Sequence, residues 1–451
     1  MKILRLFVLA LTLLGTAVHA APAPAAPSHH GSLPWIVDDY PAALAAAKKS
    51  GRTLVVEAWA QWCHTCRSMR AFVYTDSSLA RHAEQFVYLD LDTEKPMNAI
   101  FRQRHKVEAY PTLFFIDPMK ETISLRWLGS LTVPQLHALL DDVANGTGTP
   151  PQLLRQLAAA DSLFGLGRNA DAAIAYQSVL SAAPADWRGY PRAVESLLYA
   201  YSVTDQAEAG ARLAEQALPR VGRSPSGLNV AAVGLDLAVS APDSLPERVG
   251  WIARFEAETE SRVRDRSFQT AADDRSGAYI TLLTARDAAK DTAGTRRVAN
   301  DWATFLEGEA AAAKTADQRA VFDPHRLSAY LELGQPERAI AMLQQSERDF
   351  PKDYNPPQRL ATAYKAMKHW DDALAASDRA MALGCGPRKL LLLQTRADIL
   401  TGRNDVAGTR AVLQEAVAFA ESLPEGQRSA TGITGLRRKL AEFENKHSDN
   451  H

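Results

Sequence analysis

Hydrophobic and polar positions follow two different rhythms along this chain. Between residues 35 and 144, short apolar runs alternate with amphipathic stretches, whereas beyond 151 the strand signal vanishes and Ala, Leu, Arg and Glu dominate. In the first region Asp38 and Asp39 precede an Ala-rich stretch over 40–49 that Gly51 closes, which is ordinary helix punctuation. The run 53–59 predicts a buried strand and 63 toward 82 a helix. Strands at 86–91, 112–116 and 123–128, a helix at 97–105 and a last helix from Thr132 to about 143 complete the pattern. Strands joined by crossing helices, then a hairpin, then a final helix, imply a mixed sheet covered on both faces. The breaker string over 145–151, Asn-Gly-Thr-Gly-Thr-Pro-Pro, marks a boundary.

The second region carries an internal repeat. Ala339, Ala373 and Ala407 stand 34 residues apart, as do Gly334, Lys368 and Gly402, and Tyr330 with Tyr364. Gly167 and Ala172 reproduce the offset between Gly334 and Ala339, and Pro184 and Pro351 each lie twelve residues after their Ala. A helix-turn-helix unit of that period resembles the tetratricopeptide repeat, whose small residues let paired helices approach while stacked neighbours share one core. The register is clear over 320–420, weaker over 152–215 and lost over 220–320, where a general α-solenoid is expected. A capping helix is expected near 431–447.

The N-terminus reads as a secretory leader over 1–20: Lys2 and Arg5, an apolar run over 6–18, and small residues at Val18 and Ala20 before a cut. This predicts a periplasmic, oxidising location, with 21–32 as a disordered lead-in whose His29-His30 pair is too poor in ligands for a metal. The 51 basic and 52 acidic side chains offer no positive field for nucleic acid. With three Cys in 451 residues, a disulfide-stapled scaffold is excluded. No later stretch is apolar enough to span a bilayer.

The chemistry gathers in Glu57-Ala58-Trp59-Ala60-Gln61-Trp62-Cys63-His64-Thr65-Cys66. Two Cys at i and i+3, after a strand and opening a helix, share one face of its first turn. The first sulfur lies near unpaired backbone N–H groups and the positive helix end, which favour a thiolate. The second can close a disulfide and release a bound partner. His64, when protonated, further favours the thiolate and makes the disulfide more oxidising. A two-residue loop makes a poor structural staple, and no second Cys pair exists to complete a zinc site.

These residues, with Val107-Glu108-Ala109-Tyr110-Pro111-Thr112-Leu113-Phe114-Phe115 and Gly129, resemble the thioredoxin superfamily over about 110 residues. Cys63-His64-Thr65-Cys66-Arg67-Ser68-Met69, followed by Asp76-Ser77-Ser78-Leu79, is most similar to the modules of periplasmic thiol-disulfide interchange proteins. The resemblance implies Cys63 as nucleophile, Cys66 as resolving thiol, Pro111 as a cis proline facing the disulfide, and Glu57 as a buried acid exchanging a proton with Cys66. Outward-facing Glu57 and trans Pro111 are the alternatives. Substrate is expected against Trp62, His64, Thr65 and the backbone of Tyr110, while Trp59 packs in the core. His64-Thr65 replaces the family's common Gly-Pro, and Tyr88 stands where many members carry a lysine paired to the acid.

The chain is thus expected to hold an α/β thioredoxin-like domain over 33–145, a linker over 146–151 and an all-α repeat domain over 152–447. Its expected activity is that of a protein-disulfide oxidoreductase, with Cys63 as an exposed attacker, no cofactor and no metal. Protein thiols and disulfides are its substrates, and the solenoid's concave face recruits a protein partner. Two rivals stand beside this reading: a scaffold in which the redox pair is secondary, and a copper chaperone using both thiols and His64. Cys385, in Gly384-Cys385-Gly386-Pro387, is read as a small buried filler at a turn, or else as a thiol for another chain.

Overall fold

The structure, a computed structural model, describes residues 28–145 and 151–447. The leader over 1–20, most of the lead-in and the linker residues 146–150 lie outside the described residues. The N-terminal region runs β1 (Ser28–His30), β2 (Leu33–Val37), α1 (Tyr40–Ser50), β3 (Leu54–Trp59), α2 (His64–Ser68), β4 (Val87–Asp92), α3 (Ala99–Arg104), β5 (Thr112–Asp117), β6 (Thr122–Leu128) and α4 (Val133–Asn145). The strands form one mixed sheet in the order β1-β2-β4-β3-β5-β6. β2, β4 and β3 run parallel, while β5 and β6 return antiparallel to β3 and to each other. Both faces are covered. Leu54, Val56, Leu89 and Phe114 pack on the α1 and α3 side, and Val55, Tyr88, Leu113 and Phe115 meet Met69 and Leu136 on the other. Burial on two faces is why the central strands read as unbroken apolar runs.

Two features depart from the sequence pattern. Ser28–His30 pairs antiparallel with Leu33–Val37 around Gly31, so the expected disordered lead-in ends in sheet. Pro34 inside the second run hid that strand, since proline withholds a ladder hydrogen bond. The helix expected from 63 toward 82 is broken. α2 is followed by a π turn over Met69–Val73, with the Tyr74 N–H bonded to the Met69 carbonyl, and by a 3-10 turn over Ser77–His82. Asp76 starts that turn by accepting from the Ser78 N–H at 2.9 Å.

The C-terminal region is all helical. Antiparallel pairs follow one another: α5 (Pro151–Gly165) with α6 (Asn169–Ala182), α7 (Tyr190–Val203) with α8 (Ala207–Val221), α9 (Pro225–Ser240) with α10 (Arg248–Arg264), and α11 (Ala272–Ala288) with α12 (Thr292–Ala312). After the short α13 (Ala316–Ala320) come α14 (Asp323–Glu332) with α15 (Ile340–Asp349), α16 (Asn355–Ala366) with α17 (Trp370–Leu383), and α18 (Lys389–Gly402) with α19 (Val406–Ser422), before the terminal α20 (Ala430–Lys446). The 34-residue register is real where helices are short: Gly334 and Lys368 both take positive φ at the turn within a pair. It fails in the middle because α11 has 17 residues and α12 has 21. Gly402 keeps the spacing for another reason, as a Cβ there would lie 2.4 Å from the Trp370 ring.

The array does not stand apart from the sheet. Helices α5, α7, α11, α14 and α16, the loop before α18 and Gln427 beyond α19 bear on the N-terminal module. At one end, buried Asp161 of α5 accepts from the Arg126 backbone N–H of β6 at 2.9 Å, the Tyr176 hydroxyl at 2.5 Å and the Arg192 guanidinium at 2.8 Å. At the other, the Gln427 side-chain amide donates to the Thr93 and Lys95 carbonyls. This line of helix starts engages the chain's own module. Asp161→Ala leaves the nearly buried Arg192 guanidinium without its carboxylate, and the Arg126 N–H and the Tyr176 hydroxyl without their acceptor. It is expected to cost about 3–5 kcal/mol, read as a lower urea midpoint for unfolding.

Candidate active site

Cys63 ends the β3–α2 connection with extended backbone and caps α2. The Cys66 N–H donates to Cys63 Sγ at 3.0 Å, so an orphan amide of the helix start lies on the first sulfur. The two sulfurs form a disulfide. The Tyr110–Pro111 peptide, leading into β5, is cis. Trp62 packs edge-on to Tyr110 with ring centroids 5.1 Å apart, and Thr93 donates to the Tyr110 hydroxyl at 3.2 Å.

Glu57 is 1% exposed, and register sets it opposite Asp90 of β4. Burial pushes its carboxyl up to about 8, against the pull of the Arg70 guanidinium and with a further push from Asp90. Arg70 comes from the π turn. It lies 3.4 Å over the Trp59 ring, 3.7 Å from Glu57 and 2.5 Å from Asp90. The cation beside the acid thus arrives from the helical side, while Tyr88 donates its hydroxyl to the His82 carbonyl at 3.0 Å. Trp59, expected in the core, is part-buried beneath Arg70. The sequence signal for Arg70 is a positive charge four residues after Cys66.

The main correction concerns access. Cys63 is only 3% exposed and Cys66 is fully buried, so the sulfur expected to be exposed is covered. The module's own Trp62 and Tyr110 pack against the sulfurs, and the helical array closes over the loop that carries them. His64 Nε2 lies 3.2 Å from Asp273 of α11, and its ring centroid is 3.8 Å from that of His325 on α14. Arg67 pairs with Asp353, the Asn355 side-chain amide donates to the Gln61 carbonyl at 3.2 Å, and Arg388 stacks 4.6 Å over Trp62. Glu94 ties the layers together: it accepts from the Arg388 backbone N–H at 2.6 Å and from the Trp62 indole N–H at 3.2 Å. Thr65 lies 3.3 Å from His64 Nε2. His325 is held well below the ordinary histidine range by burial first, then by His64 and Arg359.

Cys385 is exposed rather than a buried filler. Its neighbour Gly386, at φ 61°, packs so close to the Glu94 carbonyl that a Cβ would lie 2.1 Å away, and the loop turns the thiol outward. Partial burial and the Asp92 and Glu94 carboxylates push that thiol above its ordinary range.

A mixed sheet with a CxxC disulfide at the start of α2 and a cis proline entering β5 agrees with the match of residues 35–118 to the thioredoxin-like family. The chain is a thioredoxin-like module fused to helical repeats. The thiol:disulfide interchange protein DsbD of Pseudoalteromonas atlantica is similar to the module, 28% identical over 90 residues. Those residues are 20% of this chain, which spans 15% of the length of that relative. Among solved structures, BtubC from P. vanneervenii is similar to 52% of the chain over 96% of its own length (17% identity, TM-score 0.33). The assembly chaperone of RpL4, Acl4, covers 66% of this chain and 99% of its own (14%, 0.31), and the TPR2AB domain of yeast Sti1 covers 64% and 98% (11%, 0.23). The repeat architecture rests on the helices described above. Among the described residues no helix is long and apolar enough to cross a membrane.

Proposed function

We propose that this protein is an extracytoplasmic, periplasmic thiol-disulfide oxidoreductase working through Cys63 and Cys66. The leader-like residues 1–20 support the location, and the helix-capping sulfur of Cys63 carries the chemistry. A substrate disulfide is attacked by the Cys63 thiolate. One Cys63–substrate bond forms, the substrate disulfide breaks and one substrate thiolate leaves. Glu57 takes the proton of Cys66, whose thiolate then attacks Cys63 Sγ. The second substrate thiolate leaves, and the Cys63–Cys66 disulfide described here remains. The protein has lost two electrons and the substrate has gained them; run backwards, the sequence oxidises a dithiol. Tyr110, freed by Pro111 from a competing N–H beside it, offers backbone for an extended substrate segment, with Trp62, His64 and Thr65 around it. The name of the DsbD relative supports the same chemistry.

Burial of Cys63 favours a second reading, in which the array binds protein partners as a scaffold and the disulfide is secondary. Under the first reading, substrates reach Cys63 as slender thiols or disulfides, or when the array yields around α14 and α16. Expression of Cys66→Ala separates the two. A thiol-containing adduct on Cys63, released by reductant, is the expected result. A Cys63 that reacts with a small alkylating agent yet carries no adduct overturns the redox reading.

A further inference from the structure

His64, Asp273 and His325 converge from three elements, α2, α11 and α14, and the nearest ligand atoms of all three lie within 4.8 Å of one another. We infer that they form a site for one divalent transition-metal ion of the zinc class, joining the CxxC loop to the helical array. The inference is independent of the redox reading.

Two imidazoles and one carboxylate match the donor set of zinc sites that keep a position open. His64 Nε2 and Asp273 Oδ1 are already 3.2 Å apart. Donors around a tetrahedral ion at about 2.0–2.2 Å stand roughly 3.4 Å from one another, so ångström-scale side-chain movement brings the set together. The outer groups are in place as well. Ser276 Oγ lies 2.7 Å from His325 Nδ1 and accepts from the Trp302 indole N–H at 2.7 Å. With Nδ1 fixed in this way, Nε2 remains to ligate. Asp273 is buried, and the carboxyl of its neighbour Asp274 accepts from the Ser130 hydroxyl of the β6–α4 loop. Arg359 is the cation facing His325, and the carboxylates of Asp323 and Asp353 act on it in turn. The Cys63–Cys66 disulfide leaves neither sulfur available as a ligand, so the site belongs to the oxidised protein. An ion there ties the residue next to Cys63 to α11 and α14 and stiffens the cover over the sulfur.

The test is titration of oxidised, full-length protein with Co²⁺ and with Zn²⁺. One equivalent of Co²⁺ is expected to bind with visible d–d bands and no sulfur-to-metal charge-transfer band. His325→Ala and Asp273→Asn should each weaken binding at least about tenfold, and should an α14 variant lose its helical circular dichroism, His64→Ala on the partly exposed loop gives the same readout. A variant with both His29 and His30 replaced by Ala should bind as the parent does. Failure of the oxidised protein to take up an equivalent overturns the inference. So does uptake that survives both His64→Ala and His325→Ala, or that is lost when only His29 and His30 are replaced.

Discussion

Cys63→Ser is expected to take disulfide reduction down to background, at least about a thousandfold, which corresponds to roughly 4 kcal/mol of barrier. The reason is local. A hydroxyl at that position is not ionised at neutral pH, so the helix-start amide that lies on the sulfur has no thiolate to stabilise. Neither other thiol replaces it. Cys66 is fully buried, and Cys385 is pushed above its ordinary range by burial and two carboxylates. Steady-state turnover of a small aromatic disulfide measures the loss. Cys66→Ser supplies the contrast, since it should release one equivalent of substrate thiol and then stop. Substantial turnover by Cys63→Ser would assign the chemistry elsewhere and leave the array as the working part.

Glu57→Gln should slow turnover by about a hundredfold and remove a limb of the pH profile. Its carboxyl lies near pH 8 in the folded protein. The carboxylate that accepts the Cys66 proton is therefore a minor form at neutral pH and grows as pH rises through about 8, whereas glutamine has no such form. Stability moves the opposite way. A carboxyl raised on folding holds a proton that the unfolded chain has already given up, from the ordinary glutamate range up to about pH 8. Its contribution is fully present below that window and is lost as pH rises through it. The urea midpoint of the parent should thus fall between about pH 4.5 and 8 relative to Glu57→Gln. Parallel midpoint curves would mean that Glu57 titrates at an ordinary value and cannot serve as the proposed base.

The central strands and the two cysteines were legible in the sequence because each is a local signal. Apolar runs at 53–59 and 112–116 follow from burial on both sheet faces, and the spacing of Cys63 and Cys66 follows from the first turn of a helix. Glu57, which the thioredoxin resemblance implies is a buried acid and strand alternation leaves open, is buried. The misses have physical causes. Pro34 masked a strand, and the π turn that delivers Arg70 has no periodicity of its own. The cover over Cys63 could not be read at all. Its parts, Asp273, His325, Asn355 and Arg388, lie more than two hundred residues downstream, and each looks like an ordinary polar position in its own helix. Cys385 was misjudged because the backbone approach of Gly386 to Glu94 is equally long-range.

Solenoids usually melt and grow repeat by repeat, since each unit touches only its neighbours. Here both ends of the array are fastened to one compact body, by Asp161 near the start and Gln427 near the finish. The repeats at either end cannot peel away without loosening a shared hub. The two modules should therefore lose structure in a single cooperative transition.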